Sequence, residues 1–279
     1  MSKIQVVHSI KEMQKISANW PKSIGFVPTM GYLHEGHLSL VKAAKANCEI
    51  VVVSIFVNPS QFAPNEDLAT YPRNFDKDKQ LLDNLDVDYL FFPQDPEMYP
   101  ADYKSWVNVE GLTGKLCGKS RPTHFRGVTT IVSKLINLVN PDMMFMGEKD
   151  FQQITILKRM VRDLNFRVEI VGCPIIREAD GLAMSSRNKN LLLEDREQAL
   201  SLSRSIVIAK AEFAQGENHS LALIKKIDEF ICKSGAKVDY IEIVDSLSLE
   251  PVLTVDVNSR IILAVYVKST RLIDNSSLI

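Results

Sequence analysis

The feature that most constrains this chain is an apolar run that ends in a turn and leads into a helical pattern carrying two histidines. Residues 24–27 predict the end of a buried strand, and Gly31 permits a tight turn beyond it. From Gly36 onward, apolar residues recur at spacings of three and four, which predicts a helix. His34 and His37 therefore fall where a loop enters a helix, and the unpaired backbone N–H groups there favour an anion. The segment predicts a phosphate-binding strand–loop–helix unit.

Three better-known site motifs do not fit this segment. Gly31 and Gly36 have the glycine spacing of a P-loop, but His37 and Leu38 stand where Lys and Ser/Thr are required. The dinucleotide motif G-x-G-x-x-G is absent, and the second histidine comes one residue too early for the zinc motif H-E-x-x-H. The His-x-Gly-His sequence, set within Pro-Thr-Met-Gly-x-Leu-His-x-Gly-His, resembles the signature shared by class I aminoacyl-tRNA synthetases and small nucleotidylyltransferases.

The composition is typical of a soluble globular enzyme. The 279 residues, 46% of them hydrophobic, are enough for one large or two modest domains. A net charge of −1 supplies no basic field for nonspecific nucleic-acid binding. The four cysteines form no C-x-x-C pair and indicate neither a zinc site nor a disulfide framework. Without a signal-peptide pattern or a run approaching 18 apolar residues, we expect a cytoplasmic protein that does not enter a membrane.

Strand and helix patterns alternate up to about residue 174, which predicts βαβ units and a doubly wound parallel sheet. The predicted strands are 3–7, the run ending at 27, 49–57, 87–92, 143–146 and 167–171. The helices between them include 75–85, one that begins at residue 123 or 125 and ends near 139, and 151–164. Beyond residue 175 the pattern changes to helices 194–214 and 219–233 and strands 240–244 and 260–267. We predict an α/β fold with a Rossmann-like domain over residues 1–174 and a smaller α+β C-terminal lid domain over residues 175–279.

Four loops carry polar side chains that suit a triphosphate. Three of them follow predicted strands of one sheet, and ligands of open α/β sheets bind at the carboxyl ends of strands. Histidine N–H groups stabilise charge that develops on phosphate oxygens. Lys149 adds a point charge, Arg187 adds a bidentate fork, and serines 185 and 186 add neutral donors. The loops are Met30–His37, Asn58–Gln61, Gly147–Gln153 and Met184–Arg187.

Gln61 and Gln153 differ from the phosphate-binding candidates because their amides are neutral. An amide has both donors and an acceptor, so it suits a hydroxyl and a carboxylate oxygen of a small polar acid. A lysine would pair with that carboxylate and reduce its reactivity toward phosphorus. The two glutamines therefore predict an acceptor site for a small hydroxy acid.

Each of these residues also has a structural interpretation. Lys149 and Asp150 suit a solvated pair at a helix start, and the two serines of residues 185–186 suit a cap. Gln61 and Gln153, taken singly, are typical of a surface, and we interpret His124 as a loop histidine rather than an anion contact. The recurrence of the motifs on equivalent edges of one predicted fold favours the functional interpretation.

Taken in order, these motifs resemble the pantoate–β-alanine ligase family over nearly the whole chain. The resemblance implies ATP-dependent condensation of (R)-pantoate with β-alanine through a pantoyl adenylate, with release of pyrophosphate and then AMP. It also implies a homodimer. From the charge and the hydropathy of the chain we expect no nucleic-acid or membrane partner. The segments that carry the resemblance are 28–37, 53–62, 71–73, 121–128, 147–153, 180–188 and 264–275.

The resemblance also implies roles for individual residues. His37, His34, Lys149 and Arg187 would be catalytic. Asn58, Gln61 and Gln153 would bind pantoate, and Gln61 would also lie near β-alanine. Mg²⁺ would be held mainly by the ATP phosphates with no protein ligand assigned, although Asp78 falls in a region that resembles a magnesium-proximal acidic patch. The residues expected around ATP are Met30, Gly31, Tyr32, Leu33, His34, Glu35, Gly36, His37, Gly147, Glu148, Lys149, Asp150, Ile176, Met184, Ser185, Ser186 and Arg187.

Three alternatives compete with the ligase. A nucleotidylyltransferase acting on a phosphate acceptor would need basic residues where the chain has glutamines. A tRNA-synthetase-like protein would need a basic or aromatic RNA surface. A non-catalytic nucleotide sensor predicts damaged motifs, and the four catalytic candidates are all present. The chain departs from some family members at Cys117, where they carry Glu, and the irregular segment 93–121 is a candidate lid.

Overall fold

The computed structural model describes residues 4–64 and 66–279, and the chain divides into two compact units. The first unit comprises residues up to 114, 121–148 and 156–174, and the second comprises 115–120, 149–155 and 175–279. Two short segments that the sequence pattern placed in the N-terminal domain, 115–120 and 149–155, therefore group with the C-terminal residues.

The first unit is built on six parallel strands in the order β1-β4-β3-β2-β5-β6. This arrangement confirms the predicted Rossmann-like α/β fold. Of the predicted first strand, residue 3 lies outside the described residues and residue 4 precedes the strand. The strands are β1 (Gln5–Val7), β2 (Ile24–Thr29), β3 (Ile50–Ile55), β4 (Tyr89–Phe91), β5 (Met143–Gly147) and β6 (Glu169–Cys173).

Helices cover both faces of the sheet. Helix α2 packs on β2, β3 and β5, where Val27, Val53 and Phe145 share one apolar cluster. The alternate residues of β2 and β3, Phe26 and Val52, are also fully buried, as expected for a parallel sheet covered on both sides. No helix in the described ranges is long and apolar enough to cross a membrane. Up to β6 the helices are α1 (Ile10–Ser17), α2 (Glu35–Asn47), α3 (Phe75–Asp83), α4 (Asp95–Met98), α5 (Cys117–Ser120), α6 (His124–Val139) and α7 (Phe151–Asp163).

The winding of the sheet reverses at β2. The chain runs from β2 to β3 on one side, and β5 pairs with β2 on the other. Ligands of such sheets bind beyond the carboxyl ends of the strands where the order reverses. The residues that follow β2, and the 3₁₀ turn Pro59–Gln61 that follows β3, lie at this edge.

Residues 175–279 of the second unit contain the helices α8 and α9 and an antiparallel sheet ordered β7-β8-β9. The sequence pattern predicted the helices and the first two strands but not β9. Only Leu272 and Ile273 are large apolar residues near the middle of β9, and the polar residues 274 and 275 beside them are fully buried through side-chain pairing. The elements are α8 (Arg196–Ala214), α9 (Ser220–Lys233), β7 (Lys237–Asp245), β8 (Ser259–Val267) and β9 (Thr270–Ser277).

The segment 93–121, predicted to be irregular, contains the short helices α4 and α5. Its aromatic residues form a cluster in the first unit. The Tyr99 and Tyr103 ring centroids lie 5.0 Å apart, and the Lys134 ammonium of α6 lies 4.6 Å from the Tyr103 ring. The Tyr99 hydroxyl is 3.0 Å from the Ser60 hydroxyl. Part of the predicted lid therefore packs beside the turn after β3.

Candidate active site

The turn after β2 has the tight geometry that the sequence predicts. Thr29 Oγ1 accepts a hydrogen bond from the Gly31 backbone N–H at 3.1 Å and donates one to the Ser54 carbonyl at 2.8 Å. Gly31 has φ +81°, in the left-handed region that favours glycine. A Cβ at this residue would lie 3.1 Å from a carboxylate oxygen of Asp78. The turn therefore depends on glycine both for its conformation and for its close packing.

Asp78 of α3 holds the backbone of this loop. Its two carboxylate oxygens each accept one backbone N–H, from Tyr32 and from Leu33, both at 2.7 Å. Burial raises the pKa of Asp78, which is 2% exposed, and the two N–H groups partly oppose that effect. The sequence placed Asp78 in a region resembling a magnesium-proximal patch, whereas the structure gives its oxygens to the loop backbone. Nothing in the local sequence links residues 46 positions apart, so this role could not be predicted.

The two histidines form a reciprocal cap at the start of α2. His34 Nδ1 accepts the Gly36 backbone N–H at 3.1 Å, and His37 Nδ1 accepts the His34 backbone N–H at 3.4 Å. A backbone N–H is always a donor, so each Nδ1 must be unprotonated and each neutral ring carries its proton on Nε2. The ring centroids lie 4.1 Å apart. The loop thus fixes two imidazoles as Nε2 donors at a helix N-terminus.

The turn after β3 fixes the orientation of the Gln61 amide. Asn58 Nδ2 donates to Gln61 Oε1 at 3.0 Å and to the Gly127 carbonyl at 3.2 Å, and Asn58 Oδ1 accepts from Ser60. Because Oε1 accepts from Asn58, the other end of the Gln61 amide is its Nε2 donor. That nitrogen lies 3.0 Å from Met30 Sδ, so the structure brings the loops after β2 and β3 together.

Two residues that the sequence left without a functional role hold the same turn from outside. Arg121 donates to the Gln61 carbonyl at 3.1 Å. The buried His124, the first residue of α6, donates to the same carbonyl through Nδ1 at 2.9 Å. Arg121 also forms a bidentate pair with Glu66. Burial raises the pKa of Glu66, but the hydrogen bonds and charge of Arg121 outweigh this and lower it. His124 is thus a structural residue in a helix, not the loop histidine that we expected.

Gly127 on α6 allows the helix to approach this turn. A Cβ at residue 127 would lie 2.4 Å from the Ser60 carbonyl oxygen and 2.7 Å from the Gln61 backbone nitrogen. These are backbone atoms that cannot rotate away. A glycine inside a helical pattern was the one sequence signal that could have revealed this contact.

The remaining predicted residues belong mostly to the second unit. Lys149 Nζ lies 3.0 Å from Asp150 Oδ2, as in the solvated-pair interpretation, and Ser185 caps the 3₁₀ turn Ser186–Asn190. The Met184 backbone N–H donates to the Ile176 carbonyl at 2.9 Å, which brings these two predicted residues together. Gln153 is half-buried on α7. Gly147 and Glu148 belong to the first unit with residues 30–37, 58 and 61.

The sequence pair Gln152–Gln153 divides between two environments. Gln152 is buried, accepts the Cys117 backbone N–H at 3.1 Å and donates to the Lys115 carbonyl at 2.8 Å. Its side chain therefore holds the segment 115–120 within the second unit. Gln153, the residue assigned to pantoate, has the more accessible side chain of the two.

The parallel sheet and the histidine-bearing loop at its carboxyl edge define a Rossmann-like α/β protein of the HxGH class. The family model described as pantoate-beta-alanine ligase matches residues 5–277. A pantothenate synthetase of Pseudothermotoga lettingae is 51% identical over 98% of each chain, and one of Thermotoga neapolitana is 50% identical over 99% of this chain and 100% of its own. The chain belongs to the pantoate–β-alanine ligase family and is a ligase.

Solved structures agree with this assignment. Pantothenate synthetase from Thermus thermophilus superposes with a TM-score of 0.95 at 42% identity, over 99% of each chain. The pantoate-beta-alanine ligase of Francisella tularensis, complexed with beta-gamma ATP and beta-alanine, gives a TM-score of 0.81 at 38% identity, over 99% of this chain and 98% of its own.

Replacing Gly127 by alanine should destabilise the protein. In an ordinary helix the change would stabilise by up to about 1 kcal/mol, but here the new Cβ meets the backbone of residues 60–61. We expect the free energy of unfolding to fall by about 1–3 kcal/mol in denaturant titration. Gly114→Ala is the control, since a Cβ there meets nothing within 4 Å. An equal or stabilising effect at residue 127 would contradict the close approach.

Asp78→Asn should loosen the loop after β2. The asparagine keeps one acceptor oxygen but turns an NH₂ group toward the second backbone N–H. We expect a loss of about 1–3 kcal/mol in unfolding free energy and faster hydrogen exchange at the amides of Tyr32 and Leu33. Asp76→Asn makes the same exchange at an exposed position of α3 and should change stability by no more than about 0.5 kcal/mol. Hydrogen exchange at the Tyr32 and Leu33 amides that is unchanged in Asp78→Asn would show that Asp78 does not hold this loop.

Proposed function

We propose that this protein joins (R)-pantoate to β-alanine at the expense of ATP, through a pantoyl-adenylate intermediate. The observation that carries the proposal is the pair of backbone N–H groups that donate to Nδ1 of His34 and of His37, which leaves Nε2 of each ring as the donor beside the N-terminus of α2. Donors that are already oriented stabilise charge without reorganising during the reaction. ATP enters as its magnesium complex, with the metal carried by the phosphates as part of the substrate.

The first step forms the adenylate. The pantoate carboxylate attacks the α-phosphorus of ATP, a P–O bond forms, and the bond to the β-phosphate oxygen breaks to release pyrophosphate. His34 and His37 donate to oxygens on which negative charge increases. Lys149 and Arg187 are predicted to add positive charge, with Ser185 and Ser186 as neutral donors.

The second step forms the amide. The neutral amine of β-alanine attacks the carbonyl carbon of the adenylate, a C–N bond forms, and the C–O bond to AMP breaks as the amine loses a proton. No side chain forms a covalent bond. The adenylate is sensitive to water, so the site must exclude water until the amine arrives. Residues 93–121 and the C-terminal domain are the candidate lids for this purpose.

Gln61 is proposed to bind the pantoate carboxylate or hydroxyl through Nε2, the amide end directed away from Asn58. A neutral donor holds the carboxylate without forming an ion pair that would lower its nucleophilicity. Asn58, predicted as a pantoate ligand, is 1% exposed and bonded to Ser60, Gln61 and Gly127. We therefore propose that Asn58 orients Gln61, while Gln153 remains predicted as the second pantoate contact.

Three further parts of the proposal rest on the family resemblance. They are assembly as a homodimer, a cytoplasmic location and the placement of Gln61 near β-alanine. The competing nucleotidylyltransferase and sensor functions differ from the ligase in their products. The ligase alone makes AMP in a reaction that requires both pantoate and an amine.

Pyrophosphate release tests the two steps separately. With MgATP and pantoate, we expect a burst of pyrophosphate stoichiometric with enzyme, which becomes continuous turnover to AMP when β-alanine is added. Omitting pantoate is the control and should abolish the burst. Binding of ATP without any pantoate-dependent pyrophosphate would overturn the ligase proposal.

Variants of His37 distinguish its capping role, in which Nδ1 accepts the His34 backbone N–H, from its proposed role as an Nε2 donor to phosphate. Asparagine places an acceptor where Nδ1 lies but has no group at the Nε2 position, so His37→Asn should remain folded and lose about two to three orders of magnitude in pyrophosphate release. His37→Ala should lose a similar factor. His37→Gln returns an amide nitrogen near the Nε2 position and should retain about tenfold more activity than His37→Asn.

The matched control is His219→Asn, an exposed histidine of the second unit. It should leave the rate unchanged. A folded His37→Asn variant with near-wild-type turnover would remove His37 from the mechanism.

A further inference from the structure

Strand β9 carries a buried acid–amide pair that the chemistry proposed above does not use. Asp274 and Asn275 are adjacent in the strand, and each is 1% exposed. In register they lie opposite Leu263 and Ile262 of β8. Burying a carboxylate and an amide in a sheet is unfavourable unless both are well paired. Their pairing leads to two segments that carry predicted phosphate-binding residues.

Asn275 holds the segment around Lys149. Its Nδ2 donates to the Lys149 carbonyl at 2.9 Å, and its Oδ1 accepts from Arg260 Nε at 2.7 Å. The Arg260 guanidinium lies 4.0 Å from the centroid of the Phe151 ring, at the first residue of α7. One amide therefore fixes the Lys149 backbone directly and residue 151 through a cation–π contact.

Asp274 holds the hairpin that leads to Ser185. Its carboxylate accepts two hydrogen bonds from Arg177, at 2.7 and 3.0 Å, and a third from the Asn275 backbone N–H at 2.8 Å. The same Arg177 donates to the Gly181 carbonyl at 3.1 Å across the turn of this hairpin, where residues 177 and 183 form a β-bridge. The 3₁₀ turn Ser186–Asn190 itself packs against β9.

We propose that Asp274 and Asn275 are positioning residues for the adenylation step. Asn275 sets the backbone from which the Lys149 side chain extends, and Asp274 sets the hairpin that presents residues 185–187. Both segments and β9 belong to the same compact unit. The inference rests on the proposed function, because it assumes that Lys149 and Arg187 act on the ATP phosphates. It adds that an edge strand remote in sequence determines where those groups lie.

Asn275→Asp tests the positioning of Lys149 by Asn275 and replaces only one heavy atom. The aspartate keeps an acceptor for Arg260 but puts an oxygen against the Lys149 carbonyl, so the segment should shift while the fold remains. We expect pantoate-dependent pyrophosphate release to slow by about tenfold or more, since small displacements of a catalytic group have effects of this size. Aminolysis of pre-formed pantoyl adenylate should keep its wild-type rate. Asn218→Asp, the same exchange at an exposed site of this unit, should change neither rate.

A double variant distinguishes positioning from general support. If Asn275 acts through Lys149, adding Asn275→Asp to Lys149→Met should slow the first step no further than Lys149→Met alone. Equal slowing of both half-reactions, or multiplied effects in the double variant, would overturn the proposal in favour of a structural role. A folded Asn275→Asp protein with an unchanged first step would overturn it as well.

Asp274→Asn tests the positioning of residues 185–187 by Asp274. It also serves as the test of the proposal if the Asn275→Asp protein does not fold. It turns an NH₂ group toward Arg177 and should slow the same half-reaction selectively. If wild-type protein releases no pyrophosphate with pantoate, the proposed function fails and the positioning role fails with it. If wild-type releases pyrophosphate and both isosteric variants match it, the positioning role alone fails.

Discussion

The conformation of the loop after β2, the candidate active-site loop, depends on two hydrogen bonds from backbone N–H groups to one buried carboxylate. Tyr32 and Leu33 follow a glycine with positive φ, and Tyr32 itself has φ +53°, so the local chain has little intrinsic preference for its observed path. Asp78, which lies on the separate helix α3, stabilises the observed path by accepting the two backbone N–H groups. Once the loop is held, the backbone N–H groups of His34 and Gly36 donate to the two imidazoles, and the tautomer of both histidines follows.

The turn after β3, which carries the candidate residue Gln61, is held in a similar way. The turn after β3 places Gln61, but its orientation comes from Asn58, and its backbone is fixed by Arg121 and His124 from the start of α6. Gly127 then allows the helix to lie against the turn without a gap. In both loops, neighbouring residues alone do not fix the orientation of the candidate side chains. Polar groups from other parts of the chain hold the loop backbone in place.

The sequence predicted the sheet well because its strands are nearly continuous β-branched or apolar runs, and the residues 50–55 admit no other interpretation at that length. It predicted the histidine loop because strand, turn glycine and helix are all local signals. It missed β9 because the Asp274–Asn275 pair interrupts the apolar pattern, and the partners that make burial possible lie 97 and 126 residues away. The sequence pattern did not show that segments 115–120 and 149–155 group with the C-terminal residues for the same reason. Lys115 pairs with Glu250 and Asn275 bonds the Lys149 carbonyl, across 135 and 126 residues.

The fixed tautomers of His34 and His37 also affect what else the loop binds. Zinc, nickel and copper ions bind histidine through an unprotonated ring nitrogen. Here the Nδ1 lone pairs accept backbone N–H groups and Nε2 carries the proton, so a metal ion gains a lone pair only if a ring gives up its hydrogen bond to the backbone. The hydrogen bonds that orient the two rings thus disfavour metal binding at either Nε2 atom.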